Sequence, residues 1–158
     1  MTEHRPIPIV HHPILIVEDN DYDFDQTVRA FQRSRLANPI YRCVNGDDAL
    51  DFLYHRGEYT DPASAPRPSI VLLDLKLPGT DGHEVLQIVK ADTDLKSIPV
   101  VMLTTSEDER DIQACYLAGA NTYIRKPVTF DGYLEAVQRL EQYWFHIAVL
   151  PDIARPAP

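Results

Sequence analysis

The chain has 158 residues, enough for one domain with its own core and too few for two ordinary ones. Its 44% hydrophobic and 25% charged residues are the composition of a globular protein, not of a disordered or collagenous one. A formal net charge of −9 argues against a nucleic-acid surface, which needs clustered Lys and Arg, and fits poorly with an anionic membrane.

Residues 1–12 hold Pro6 and Pro8 and no helical period, and read as a flexible arm. No signal-like apolar stretch opens the chain and no apolar run is long enough to span a bilayer, so a cytoplasmic location is expected. Ile14-Leu15-Ile16-Val17 is a β-branched apolar run and predicts a buried strand. Asp21 to Leu36 carries Val28 and Phe31 at helical spacing among polar residues and predicts an amphipathic helix. Ile40 to Val44 reads as a second strand, and Asp47 to Tyr54 as a second helix with Ala49, Leu50 and Leu53 inward. Gly57 to Ser69, with Pro62, Pro66 and Pro68, reads as a loop. Ile70-Val71-Leu72-Leu73 predicts a third strand; the turn dipeptides Pro78-Gly79 and Asp81-Gly82 lead into a helix with Val85, Leu86 and Val89. Val100 to Leu103 predicts the fourth strand. Ser106 and Glu109 have the spacing of a capping box for a helix that closes at Gly119. Ala120 to Ile124 predicts a fifth strand and Thr129 to about Gln142 a last helix. Cys43 and Cys115 stand far apart, as reduced thiols rather than a disulfide or zinc site.

Continuous apolar strands alternating with helices predict a parallel sheet covered on both faces, and such sheets bind ligands beyond the carboxyl ends of their strands. Those ends carry Glu18-Asp19-Asn20-Asp21, Asp74, Thr104-Thr105 and Lys126-Pro127. A single Asp after a strand is usually a turn former or a cap. Several carboxylates converging with one ammonium and a hydroxyl are harder to dismiss. Two like charges ~4 Å apart repel by roughly 4 kcal/mol at an effective dielectric near 20, so such a cluster calls for a counter-ion. Hard oxygen ligands suit Mg²⁺, which is held by one or two carboxylates, water and phosphate.

The pieces Ile14-Leu15-Ile16-Val17-Glu18-Asp19-Asn20, Leu72-Leu73-Asp74-Leu75-Lys76-Leu77-Pro78-Gly79-Thr80-Asp81-Gly82, Met102-Leu103-Thr104-Thr105 and Lys126-Pro127 resemble the receiver (response-regulator) domains of two-component signalling, over residues 13–142. The resemblance implies a flavodoxin-like, doubly wound five-stranded parallel sheet in the order 2-1-3-4-5. It implies that Asp74 accepts a phosphoryl group from a histidine kinase. Mg²⁺ would be held by Glu18, Asp19, Asp74 and the backbone carbonyl of Lys76. Thr104 and Lys126 would contact the phosphoryl group, Tyr123 would be the aromatic switch residue, and the Lys126-Pro127 peptide would be cis. Output would pass through protein contacts to a downstream or phosphotransfer partner, since no DNA-binding domain is expected after Gln142.

Residues 143–158 form an extension that is apolar and then Pro-rich. Tyr143-Trp144-Phe145, with Leu140 on the last helix, either folds back on the domain or forms a homodimer surface. This tail, the Pro-containing loop before strand three and the N-terminal arm resemble the small regulators paired with bacterial and cyanobacterial phytochrome kinases. Two other classes fit less well. A Mg²⁺-dependent phosphohydrolase of the haloacid-dehalogenase type would carry D-x-D after its first strand, whereas Asp74 follows the third and precedes Leu75-Lys76. A pseudo-receiver would not keep Asp19, Asp74, Thr104 and Lys126 together. His11-His12 reads as part of the solvated arm, His83 and His146 as structural, Cys115 as a core or half-buried thiol, and Glu107-Asp108-Glu109 as an acidic first helical turn.

Overall fold

The computed structural model describes residues 12–34 and 38–147, with residues 145–147 by backbone alone. The expected arm over residues 1–11, the expected end of the first helix at Leu36, the tail beyond residue 147 and the Phe145 side chain lie outside the described residues. The elements in chain order are β1 (Ile14–Val17), α1 (Asp21–Arg33), β2 (Ile40–Cys43), α2 (Gly46–Tyr54), a 3-10 turn (Gly57–Tyr59), β3 (Ile70–Leu73), α3 (Gly82–Ala91), β4 (Val100–Thr104), α4 (Glu109–Leu117), β5 (Thr122–Arg125) and α5 (Phe130–Glu141), continued by a π-helical segment over Gln142–Ile147. All strand pairs are parallel and the sheet order is β2-β1-β3-β4-β5, as expected.

The sheet is buried on both faces because its central strands carry no polar side chain between Ile14 and Val17 or between Ile70 and Leu73. Their alternation divides the core. Leu15, Val17, Val71, Leu73, Val100 and Met102 pack towards α2, α3 and α4, while Ile14, Ile16, Ile70, Leu72 and Val101 pack with Phe31, Tyr133 and Val137 of α1 and α5. Each fully buried aliphatic side chain contributes about 1.5–3 kcal/mol. Cys43 and Cys115 are both free and buried, as core thiols.

Register brings the functional strand ends level. Val17 lies opposite Leu73, and the Asp74 amide donates to the Val17 carbonyl at 3.1 Å. Thr104 lies opposite Arg125, and the Lys126 amide donates to the Thr104 carbonyl at 2.7 Å. Glu18, Asp74 and Lys126 therefore leave their strands at the same rim.

Several helix and strand ends differ from expectation for local reasons. α4 is capped by Asp108, whose carboxylate accepts from the Arg110 amide at 2.9 Å, so the Ser106/Glu109 capping box does not form. Ser106 belongs to the preceding turn, where its hydroxyl donates to Asp111 at 2.6 Å and accepts from the Asp108 amide at 3.3 Å. β5 starts two residues later than expected because Gly119 turns left-handed (φ +105) and the Ala120 amide returns to the Cys115 carbonyl, closing α4. Asn121 then caps the sheet by accepting from the Val100 amide at 2.9 Å. His12 is not a solvated arm residue: it is half-buried, with its ring on the Ser69 hydroxyl at 3.0 Å. No peptide among the described residues is cis, so the expected cis Lys126-Pro127 bond is corrected to trans, the form an X-Pro bond prefers by about 0.5–1 kcal/mol.

Candidate functional site

Lys126 is the centre of the site. Its side chain is 5% exposed, and its ammonium lies 2.5 Å from Glu18 Oε1, 2.9 Å from Asp74 Oδ2 and 2.9 Å from Asp23 Oδ2. Burial alone would lower the pKa of such an amine, but its hydrogen bonds to the three carboxylates outweigh burial and hold it above the ordinary lysine value. Glu18 is buried too, and burial is the main cause that pushes its carboxyl up to about 8. Asp74 pushes it the same way and Lys126 opposes. With its carboxyl raised to about 8, chiefly by burial, Glu18 favours the protonated form at neutral pH in the metal-free cluster.

The local structure fixes each oxygen. Asp74 Oδ1 accepts from the Lys76 amide at 3.3 Å. Behind Asp74 stands Gly82, the first residue of α3; a Cβ there would lie 2.0 Å from the Asp74 carbonyl oxygen, so only glycine lets α3 start so close to the end of β3. Asn20 caps α1 by accepting from the Asp23 amide at 2.9 Å, which sets Asp23 facing Lys126. Asp19 stays exposed beside the buried pair.

Oxygens of Glu18, Asp19 and Asp74 all lie within 4.8 Å of one another, and no other His, Cys, Asp or Glu group among the described residues does so. The donor set is all carboxylate, and it fits a hard divalent cation better than zinc or copper. A cation there would favour the ionised form of Glu18 against the burial and the Asp74 carboxylate that raise its pKa.

Thr104 is fully buried at the end of β4, and its hydroxyl oxygen accepts from the Ser106 amide at 3.5 Å. Tyr123 is half-buried on β5, and its hydroxyl donates to the Ser106 carbonyl at 2.9 Å. The two expected switch residues thus meet through Ser106, which sequence reasoning placed in a helix cap. Asp21, read with the acidic rim, points away and pairs with Arg42 at 2.7 Å. Asp23 and Tyr133 were missed. Asp23 lies one helical turn past the strand end, and that spacing is the signal that could have found it. The Lys76 side chain is exposed and lines a cleft with Leu77, Asp81, His83 and Asp111.

At the far end of α5, Leu140 is 9% exposed and packs into the α1/α5 core. Trp144 is half-buried against that same core, so part of the aromatic tail does fold back on the domain. Tyr143 is 51% exposed and meets Trp144 edge-on at 5.1 Å. With Ile124 and Leu140 these rings line an open apolar groove of 440 Å³.

A doubly wound parallel sheet whose first, third and fifth strands deliver an acidic pair, a buried aspartate and a lysine to one rim defines a single class of α/β signalling domain. The chain matches the family profile of the response regulator receiver domain over residues 14–138, and it belongs to that family. It is 38% identical over 138 residues to the Response regulator Rcp1 of Synechocystis sp., covering 87% of this chain and 92% of that protein. Among solved structures it is similar to the phosphorylated cyanobacterial phytochrome response regulator RcpA (38% identity, TM-score 0.84, 90% of this chain and 100% of that one). It is also similar to the Mn(2+)-bound form of response regulator Rcp1 (38% identity, TM-score 0.82, 89% and 99%). The chain is thus homologous to regulators of phytochrome signalling. No helix among the described residues is long and apolar enough to cross a membrane.

Proposed function

We propose that Asp74 accepts a phosphoryl group from a phosphohistidine of a phytochrome-type kinase, and that the modified chain signals through protein contacts rather than by turnover. The observation that carries this is the buried Asp74 carboxylate between the Lys126 ammonium and the acidic pair. An Asp74 oxygen attacks phosphorus, the P–N bond breaks, and its electron pair returns to the imidazole nitrogen, which takes up a proton. Phosphoryl transfer needs in-line positioning and charge neutralisation more than a general base. Glu18, Asp19, Asp74 and the Lys76 carbonyl would hold Mg²⁺, which would supply charge neutralisation. Lys126 offsets charge on a phosphoryl oxygen and Thr104 donates to another. Because the carboxylate charge is lost as the acyl phosphate forms, phosphorylation makes Asp74 about one charge more negative and adds three strong acceptor oxygens, enough to redirect the Thr104 hydroxyl and, through Ser106, Tyr123. The test is incubation with acetyl phosphate. One phosphate per chain should appear with Mg²⁺ and none with EDTA; labelling that ignores EDTA would refute the metal role.

Lys76 bears on how long the signal lasts. Its exposed side chain lies two positions past Asp74, where a long cation can pair with phosphoryl oxygens and crowd the attacking water. The phosphorylated form is expected to be long-lived, and Lys76→Asn should shorten its lifetime in a decay assay. An unchanged or longer lifetime would sink the idea.

Self-association is the second part of the reading. The apolar groove of Ile124, Leu140, Tyr143 and Trp144 lies beside β5, which carries Tyr123, and a second copy would cover the same surface on both partners. Tyr and Trp are frequent interface anchors. Light scattering should report a dimer for the full chain and a monomer for one ending at Gln142, with Tyr143→Arg weakening the pair while leaving the circular dichroism intact. A monomeric full chain at tens of micromolar, or an equally dimeric truncation, would rule this out.

A further inference from the structure

A lysine ammonium has three N–H donors, and in Lys126 all three face carboxylates: Glu18, Asp74 and Asp23. In the function proposed above, on which this inference rests, two of those carboxylates have other work. Glu18 is among the oxygens that suit the cation, and Asp74 becomes the phosphorylated group. Asp23 has neither role. It lies outside the group of oxygens that fits a metal.

The surroundings of Asp23 are those of a fixed anchor. It sits in the first turn of α1, where its amide is held by the Asn20 cap at 2.9 Å and its carbonyl accepts from the Thr27 hydroxyl at 2.9 Å. Its second carboxylate oxygen faces the hydroxyl of Tyr133 at 3.4 Å, and Tyr133 is buried on α5. Asp23 therefore ties Lys126 to the seam between α1 and α5.

We propose that Asp23 is a positioning residue for phosphorylation: it holds the Lys126 ammonium at the acceptor, and it is the carboxylate that stays on the lysine when Glu18 and Asp74 are engaged with the cation and the phosphoryl group. Without it, a long side chain with several rotatable bonds must find the phosphoryl oxygen unaided. A misplacement of about 1 Å in a reacting centre can cost on the order of a hundredfold in rate.

The experiment uses the full chain with acetyl phosphate at saturating Mg²⁺, and compares the native protein with Asp23→Asn and Asp23→Glu. For Asp23→Asn the maximal phosphorylation rate should fall by roughly ten- to a hundredfold. The half-saturating donor concentration and the Mg²⁺ affinity, measured by calorimetry, should stay within about twofold, because a pure positioning loss acts on the rate and not on binding. Asp23→Glu should recover part of the rate, and Tyr133→Phe, which keeps the lysine contacts and frees one side of Asp23, should fall between. A native maximal rate in Asp23→Asn overturns the proposal. So does a loss of Mg²⁺ affinity in step with the rate, which would make Asp23 part of the metal site, and so does an Asp23→Glu chain as slow as Asp23→Asn with both folded by circular dichroism. A native chain that takes up no phosphate overturns the function itself; a native chain that is labelled beside an equally fast variant overturns only the role of Asp23.

Discussion

A chain carrying Asp74→Asn should take up no phosphate under conditions in which the native chain should take up one. The substitution keeps the shape of the side chain and one of its two oxygens, so that either the Lys76 amide or Lys126 loses its acceptor while β3 and its neighbours keep their packing. What is lost is the anionic nucleophile, and an amide oxygen does not replace it. The same change has an opposite effect on stability. Asp74 is one of the causes that raise the Glu18 pKa towards 8, by hydrogen bonding and by charge. With the Asp74 charge gone, Glu18 ionises at lower pH, and the stability that the metal-free protein loses as pH rises from 4.5 to about 8 should shrink. Each pKa unit corresponds to about 1.4 kcal/mol, so a gain on the order of 1 kcal/mol at pH 8 is expected. Mass spectrometry and metal-free melts on one preparation check both arms. Equal labelling of the variant would remove Asp74 as the acceptor, and a variant less stable than the native chain at pH 8 would remove the account of Glu18.

Much of this was legible in the sequence, and what was not has physical reasons. β1 and β3 are four-residue apolar runs with no competing period, and both were placed to the residue. The strand order followed from the receiver resemblance rather than from composition. Ends were harder. Near Ser106 and Asp108 two side chains could cap the same helix, and the Ser106 hydroxyl is instead taken up by Asp111 and the Asp108 amide, with Tyr123, seventeen residues away, on its carbonyl. The start of β5 shifted because residues after Gly119 serve to close α4, a use that strand propensity does not register. At the site, a motif names residues that leave strand ends, so Glu18, Asp19, Asp74, Thr104 and Lys126 could be named in advance. Asp23 and Tyr133 reach the same lysine from helices, and only the packing of α1 on α5 brings them together.

Lys126→Met should be the most destabilising single change at the rim, and its cost should depend on pH. Met keeps the stem in its buried slot and removes the ammonium, leaving Glu18, Asp23 and Asp74 to face one another without a cation. Removing one partner of a buried ion pair costs about 3–5 kcal/mol, because the remaining charge stays desolvated. Protonation limits that cost. Glu18 is an acid whose folded pKa is raised from 4.5 to about 8, so it adds stability below 4.5, and that contribution is lost as pH rises through 8. Lys126 is one of the few causes that lower the Glu18 pKa, so its removal raises that pKa further and leaves Glu18 protonated over a wider range. Between pH 4.5 and 8 Glu18 is protonated in both chains, so the gap is constant there; it widens above pH 8, where Glu18 ionises in the native chain and stays protonated in the variant. Added Mg²⁺ at pH 9 should restore part of the difference, since a cation on Glu18, Asp19 and Asp74 neutralises the same carboxylates. Urea unfolding at pH 6 and pH 9, each with EDTA and with Mg²⁺, measures all four states. A loss of equal size at both pH values would mean that Lys126 matters for its packing alone, and the charge balance drawn for this rim would be wrong.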